Sequence, residues 1–159
     1  MSHIIDAIIL KGEYNIEKAR KYDLNGIKLD FNLTMFFIDD DFLIYWEKKL
    51  NIRGFLETNC THVNKMVIYE LMKLISKTEQ VEYAVISTAY VGGMGDQYAN
   101  VYQDNKNVDL SINTINAALK YLGVQETDDL DEFDVVGLGR FRRNPDYLNK
   151  YHLRSDEWL

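Results

Sequence analysis

A cluster of glycines between two strand-like segments is the feature that most constrains how this chain can fold. Residues 81–91 and 97–103 are rich in β-branched and aromatic side chains, and Gly92, Gly93 and Gly95 lie between them. Ordered glycine loses much conformational entropy, so such a cluster indicates positive φ angles or a close approach of backbone. A connection of about five residues between the two segments predicts an antiparallel hairpin.

Length and composition indicate one globular domain. The chain has 159 residues, of which 47% are hydrophobic and 27% charged, and these proportions are ordinary for a globular protein. A chain of this length can bury a complete core. Because no linker, internal repeat or change of composition interrupts the sequence, we predict a single domain over residues 1–159.

Hydrophobic periodicity predicts an α+β fold. Short β-branched or alternating runs indicate strands, and apolar residues at helical spacing indicate helices. The helix expected at 61–77 has the broadest apolar face and should be the main cover of the sheet. The element order predicts a mainly antiparallel sheet with helices packed largely on one face. Strands are predicted at 4–10, 27–33, 34–38, 81–91 and 97–103, and helices at 16–22, 42–50, 61–77, 111–122 and 145–151.

Small polar residues in front of these helices are expected to act as N-caps, since their side chains can accept hydrogen bonds from free backbone N–H groups. Gly123 lies where a helix C-terminus commonly has glycine. The predicted caps are Asn15, Asp41, Asn59 or Thr61, Asp109 or Ser111, and Asn144 followed by Pro145.

The glycine cluster is also the main candidate for a functional surface. Its spacing differs from the dinucleotide fingerprint and lacks the Gly-Lys-Ser/Thr of a P-loop. One interpretation is a purely structural turn or bulge; the other is that Asp96 and Gln97 are presented to a ligand or partner, with tyrosines around them. The candidate binding residues are Tyr90, Gly92, Gly93, Gly95, Asp96, Gln97, Tyr98, Arg140 and Arg142.

The densest basic cluster is Arg140, Arg142 and Arg143. Arginine suits bidentate binding of carboxylate or phosphate. Two interpretations are open: the cluster neutralises the acidic segment Glu126–Asp134, or it binds an anionic ligand beside the glycine cluster.

The acidic and cysteine-containing motifs do not predict a metal, a cofactor or a catalytic residue. Capping explains Asp39-Asp40-Asp41 better than Mg²⁺ or Ca²⁺ does, because adjacent carboxylates at a strand end point in different directions. The segment Glu126–Asp134 lacks the central glycine and the final glutamate of an EF-hand loop. Cys60-Thr61-His62 places a thiol beside an imidazole, but catalytic Cys/His pairs usually come from distant segments.

Charge and apolar runs restrict the expected partners. A net charge of −7 opposes direct binding of nucleic acid and favours a basic protein partner. No apolar run approaches the roughly 20 residues of a membrane span, and the N-terminus lacks a secretory signal pattern. With a single cysteine, these features predict a cytoplasmic protein without a membrane partner. A homo-oligomer is compatible with the sequence.

These features predict a non-enzymatic protein whose acidic segment and tyrosine-rich hairpin bind a basic protein. In size, acidity and its glycine-bearing hairpin, the chain is similar in type to bacterial immunity proteins, which neutralise toxins. The alternative is a small enzyme or ligand-binding domain that holds an anionic molecule with Asp96, Gln97 and the cluster Arg140–Arg143. A concave, partly apolar cavity at these residues would favour the ligand, and a flat or convex face would favour the protein partner.

Overall fold

The computed structural model describes residues 2–59 and 63–155, with side chains up to residue 152. The fold is α+β and is built on a sheet of six antiparallel strands, in the order β2-β3-β1-β6-β7-β8. The strands are β1 (Ser2–Lys11), β2 (Ile27–Leu29), β3 (Leu33–Phe37), β4 (Phe55–Leu56), β5 (Asn64–Lys65), β6 (Glu82–Val91), β7 (Met94–Gln103) and β8 (Lys106–Asn107). The α-helices are α1 (Ile16–Lys21), α2 (Asp40–Lys49), α3 (Val67–Ile75), α4 (Ile115–Tyr121), α5 (Glu132–Val135) and α6 (Asn149–Ser155).

The centre of the sheet is the long pairing of β1 with β6, from Ser2 opposite Val91 to Leu10 opposite Tyr83. The side chains of β1 are buried on both faces from Ala7 to Leu10, which explains its continuous apolar run. Helix α1 contacts α3, α3 contacts α2, and α2 contacts α6, so these four helices form one group. Helix α4 packs on β6 and β7 and contacts α5. None of the described helices is long and apolar enough to cross a membrane.

The prediction of one continuous strand at 27–33 is wrong, because these residues form the first strand and the turn of a hairpin. β2 ends at Leu29, and the chain turns through Phe31 and Asn32, with φ angles of 64° and 60°. β3 then runs back from Leu33 to Phe37 and is buried on both faces, as expected for the apolar run. The alternation of apolar and polar residues continues through the turn, and therefore concealed it.

The predicted helix at 61–77 is shorter at its N-terminal end. Asn64 and Lys65 pair with Phe55 and Leu56 as the small β4–β5 ladder, so the helix begins at Val67. Thr61 lies outside the described residues. Asn59 does not cap this helix: its side-chain amide donates to the carbonyls of Ala99 and Ile112. Val63, expected on the core face of the helix, is 59% exposed.

Two of the predicted caps precede α1 and α2. Asn15 is confirmed, because its Oδ1 accepts the backbone N–H of Lys18 at 3.0 Å. For α2 the cap is Asp39 and not Asp41, and its Oδ1 accepts the N–H of Phe42 at 2.8 Å. The helix therefore starts earlier than predicted, and Asp41 lies inside its first turn, where an acidic side chain is also favourable.

The later helices also start elsewhere than predicted. Thr114 caps α4, in place of Asp109 or Ser111, which bond to each other in the preceding loop. Gly123 follows α4 with a φ of 108°, as expected for a residue after a helix end. Pro145 is extended; a 3₁₀ turn over Asp146–Leu148 leads into α6.

Asn144, predicted as a helix cap, instead fastens the C-terminal segment to the sheet. Its side chain accepts from the N–H of Asp6 and donates to the carbonyl of Ile38, both at 3.0 Å. The backbone N–H of Ile4 donates to the carbonyl of Arg142 at 2.8 Å. The segment therefore continues the sheet beside β1 beyond the end of β3, and this fixes the position of Arg142.

Candidate functional site

The glycine segment is a two-residue turn and not the five-residue loop predicted. Val91 pairs with Met94, and Gly92 and Gly93 between them have φ angles of 61° and 80°. Tight hairpin turns with positive φ at both central residues match the twist of the strands, and glycine adopts them without strain. Gly95 consequently belongs to β7.

The three glycines meet different structural demands. A side chain at Gly92 or Gly93 would contact nothing within 4 Å, so these two are required only for their backbone angles. Gly95 is opposite Tyr90, and a Cβ there would overlap the carbonyl oxygen of Ala89 and lie 2.8 Å from the Cα of Tyr90. Turn geometry and close strand packing therefore account for all three glycines.

Strand alternation divides the predicted site residues between the two faces of the sheet. His3 is opposite Tyr90, and Thr88 is opposite Gln97. Directly paired residues share a face and side chains alternate along each strand, so these four side chains lie on one face. Asp96 and Tyr98 lie on the other face, and the predicted site is therefore not one surface.

A cleft of about 320 Å³ lies on the face that carries Tyr90 and Gln97. We call it the His3 cleft. Three of the predicted site residues, Tyr90, Gln97 and Arg142, line it. The other lining residues, which come from the sheet, α4, α5 and the segment that follows α5, are His3, Thr88, Ile115, Asn116, Asp131, Phe133 and Gly139.

Hydrogen bonds fix the orientation of His3 in the lining of the cleft. Its Nε2 donates to the carbonyl oxygen of Leu138 at 3.1 Å, and its Nδ1 is 2.8 Å from the hydroxyl of Thr88. The imidazole lies 5.5 Å from the ring of Phe133, measured between centroids. Both ring nitrogens are therefore engaged, and the ring serves as part of the cleft wall.

Gln97 joins the hairpin to α4. Its Oε1 accepts the backbone N–H of Ile115 at 2.8 Å, and its Nε2 donates to the hydroxyl oxygen of Tyr90 at 3.4 Å. The expectation of an exposed Asp-Gln pair is wrong for Gln97, which is half-buried, whereas Asp96 is exposed. Gln97 thus positions Tyr90 and the start of α4.

Asn116 and Asp131 also line the cleft, and their hydrogen bonds join α4 to α5. Asn116 donates to Asp131 Oδ2 at 3.0 Å and accepts the N–H of Phe133 at 2.8 Å. Asp131 Oδ1 accepts the N–H of Asp134, and this backbone hydrogen bond holds the pKa of the Asp131 carboxyl below its usual value. The pKa of Asp134 is raised by the adjacent charge of Asp131. Asp131 is therefore ionised at neutral pH.

Arg142 brings a positive charge to the cleft. Among residues 2–59 and 63–152, no ion pair joins Arg140, Arg142 or Arg143 to an acidic side chain. In this part of the chain, no ion pair therefore supports the interpretation that the arginines neutralise Glu126–Asp134. The guanidinium of Arg140 lies 4.9 Å from the centroid of the Phe141 ring.

The remaining predicted residues are outside the cleft lining. Asp96 is exposed near the hairpin tip, and Tyr98 is half-buried on its face of the sheet. The tip also exposes two apolar side chains, Val91 at 64% and Met94 at 80%. Gly92, Gly93, Gly95 and Arg140 likewise do not line the cleft.

One aspartate of each acidic cluster caps a helix: Asp39 caps α2 and Asp131 caps α5. In that part of the chain, no group of three or more His, Cys, Asp and Glu side chains is arranged to hold a metal ion. Asp39 also lies 2.9 Å from the Nε2 of His152. Cys60 and His62 lie outside the described residues.

Sequence reasoning missed most of the cleft. His3 would have been found from the register of β1 against β6, because that register puts it opposite Tyr90. Asn116, Asp131 and Phe133 are brought in by the packing of α4 on α5, for which the sequence carries no local signal.

Comparison with protein-family models, with curated proteins and with solved structures finds no match to this chain.

Proposed function

We propose that the protein binds a small ligand in the His3 cleft, and that this ligand has an anionic group and a planar apolar group. The observation that carries the proposal is Arg142, which lines a concave site and has no acidic partner among the described side chains. Arginine binds carboxylate and phosphate through parallel hydrogen bonds.

The size and lining of the cleft support this ligand class. A volume of about 320 Å³ is at the lower end of the range for small-molecule sites, which combine apolar walls with a few polar groups. Tyr90, Phe133 and the ring of His3 offer aromatic surfaces, and Ile115 adds an aliphatic one. Planar apolar groups pack well against such walls.

The hydrogen bonds of His3 and Thr88 favour a supporting role for these two residues over a role as general base. A general base needs a nitrogen or oxygen lone pair within reach of the substrate. Both nitrogens of His3 are engaged, and the hydroxyl of Thr88 contacts His3 and accepts the N–H of Ile5 at 3.1 Å. These groups support the sheet end and the shape of the cleft.

The test is isothermal titration calorimetry with a panel of aryl carboxylates and aryl phosphates, with and without an amino group. We expect saturable binding that Arg142→Gln weakens roughly tenfold or more, the value of a charge-assisted hydrogen bond. Arg143→Gln is the matched control, because Arg143 is exposed and does not line the cleft. Absence of binding by every panel member, or an equal loss in both variants, would contradict the proposal.

A second candidate function, binding of a basic protein in the manner of an inhibitor or immunity protein, is favoured by the opposite face of the hairpin. Ile4, Ala89 and Asp96 form one row across the sheet, and Val91 and Met94 extend it to the tip. All five are exposed, all but Asp96 are apolar, and a group of exposed apolar side chains is typical of an interaction site. The net charge of −7 would speed the approach of a basic partner.

Affinity purification from cells that produce the protein tests this candidate, followed by identification and titration of the purified partner. The captured protein should be basic, its affinity should fall with salt, and Met94→Asp should abolish capture. Ile16→Asp, which changes an exposed apolar residue at the start of α1, is the control. Capture of nothing, or a partner retained by Met94→Asp, would exclude this function.

A further inference from the structure

We infer that the ligand of the His3 cleft is zwitterionic, with an ammonium group at Asp131 in addition to the anionic group at Arg142. An aromatic amino acid, or an aryl compound with the same pair of charges, is the corresponding chemical class. This inference rests on the proposed ligand-binding function and adds the second charge.

The cleft contains one unpaired charge of each sign. Asp131 lines the cleft together with Arg142. No ion pair joins Asp131 to any Lys, Arg or His among the described side chains, nor do Asp131 and Arg142 pair with each other. The two charges therefore remain available to a ligand that can reach both.

Asp131 has hydrogen-bonding capacity left for such a ligand. Its Oδ1 accepts from the backbone of Asp134, and its Oδ2 accepts from Asn116. A carboxylate offers about four lone-pair positions, so an ammonium group can be added without breaking either bond. These two bonds also fix the direction of the carboxylate before a ligand arrives.

The same charge opposes a purely anionic ligand. A molecule whose only charge is negative would be attracted by Arg142 and repelled by Asp131 within one small site. A charge left without a partner on binding discriminates between ligands as strongly as an added contact does. The arrangement therefore selects a molecule that carries both signs.

The experiment compares phenylalanine with 3-phenylpropanoate, which lacks only the amino group, by calorimetry on the full chain. We expect phenylalanine to bind roughly five- to tenfold more tightly, the value of a charged hydrogen bond at a partly exposed site. In Asp131→Asn this preference should disappear, while 3-phenylpropanoate should bind as well as before or better. The single amide oxygen of asparagine keeps the helix cap, but the amide nitrogen that replaces Oδ2 cannot accept from Asn116. The variant therefore removes the charge and this one hydrogen bond, and undiminished binding of 3-phenylpropanoate shows that the cleft is intact.

Asp129→Asn is the control, since Asp129 is an exposed acid of the same segment that does not line the cleft. It should keep the preference for phenylalanine. Equal binding of the two compounds to the unaltered protein, or an equal effect of both asparagine variants, would overturn the zwitterionic ligand while leaving the anion site in place. If neither of these two compounds binds, the inference is overturned; if no other member of the aryl panel binds either, the proposed function fails with it.

Discussion

Replacing Gly95 by alanine should destabilise the protein far more than the same change at Gly93. At Gly95 the new Cβ would overlap the carbonyl oxygen of Ala89 and lie 2.7 Å from the carbonyl carbon. Both contacts are with backbone, which cannot rotate away as a side chain can, so β6 and β7 must move apart at this point. At Gly93 the new methyl group would meet no atom within 4 Å.

The magnitudes follow from these two environments. At Gly93 only the positive φ of 80° is unfavourable for alanine, which corresponds to about 1 kcal/mol of unfolding free energy. Gly95 also has a positive φ, of 153°, and alanine there has the further cost of separating the two strands. Loss of the pairing beyond this point, between Tyr90 and Gly95 and between Val91 and Met94, brings the total to about 2–4 kcal/mol.

Urea denaturation followed by circular dichroism measures both variants on one scale. The variant Gly95→Ala should also weaken ligand binding, because Tyr90 is directly opposite the substituted residue and lines the cleft. Equal unfolding free energies for the two variants would refute the close approach of the strands and, with it, the explanation of this glycine.

Three further predictions concern hydrogen bonds or charges at single residues. Gln97→Ala should lower the unfolding free energy by about 1 kcal/mol, since it leaves the first N–H of α4 without its acceptor. Asp96→Ala should change the unfolding free energy by less than about 0.5 kcal/mol, and equal melting temperatures of the two variants would contradict this difference. Asn144→Ala removes the side chain that bonds to two backbone groups, and it should lower the unfolding free energy by about 1–3 kcal/mol in a denaturation experiment. An unchanged unfolding free energy would contradict the attachment of this segment beside β1. Because Asp131 raises the pKa of Asp134, ionisation of Asp134 lowers the free energy of unfolding at pH values above that raised pKa. Asp134→Asn should therefore stabilise the folded protein at pH 7 and have no effect at pH 3, where the carboxyl is protonated in the folded and unfolded states. An equal stabilisation at both pH values, measured by denaturation, would exclude charge as the cause.

The sequence predicted the α+β class and much of the order of elements because the relevant signals are local. Asn15 could be identified as a cap from its own position before an apolar run, and the structure has the hydrogen bond that this requires. The pairing of β6 with β7 followed from two strand-like runs around glycines. The turn at Phe31 was hidden because a large aromatic residue seldom has a positive φ.

The candidate site was less predictable because its parts are assembled over long sequence distances. Closeness to the glycines indicates Tyr90 and Gln97 as site residues, yet they lie in the cleft because of strand alternation. The same closeness indicates Asp96, which lies on the opposite face. Positive charge indicates Arg142, and it reaches the cleft because the segment around Asn144 is bound beside β1.

The most direct test of the account is to map a bound ligand by nuclear magnetic resonance. Titration of ¹⁵N-labelled protein with phenylalanine should shift the backbone amides around the His3 cleft, with a common dissociation constant. We expect the shifts at residues 3, 88–90, 97, 115–116, 131–133 and 139–142, and their loss in Arg142→Gln. Shifts confined to the hairpin tip at residues 91–96, or no saturable shifts with phenylalanine or with any aryl anion, would contradict the claim that this cleft is the functional site.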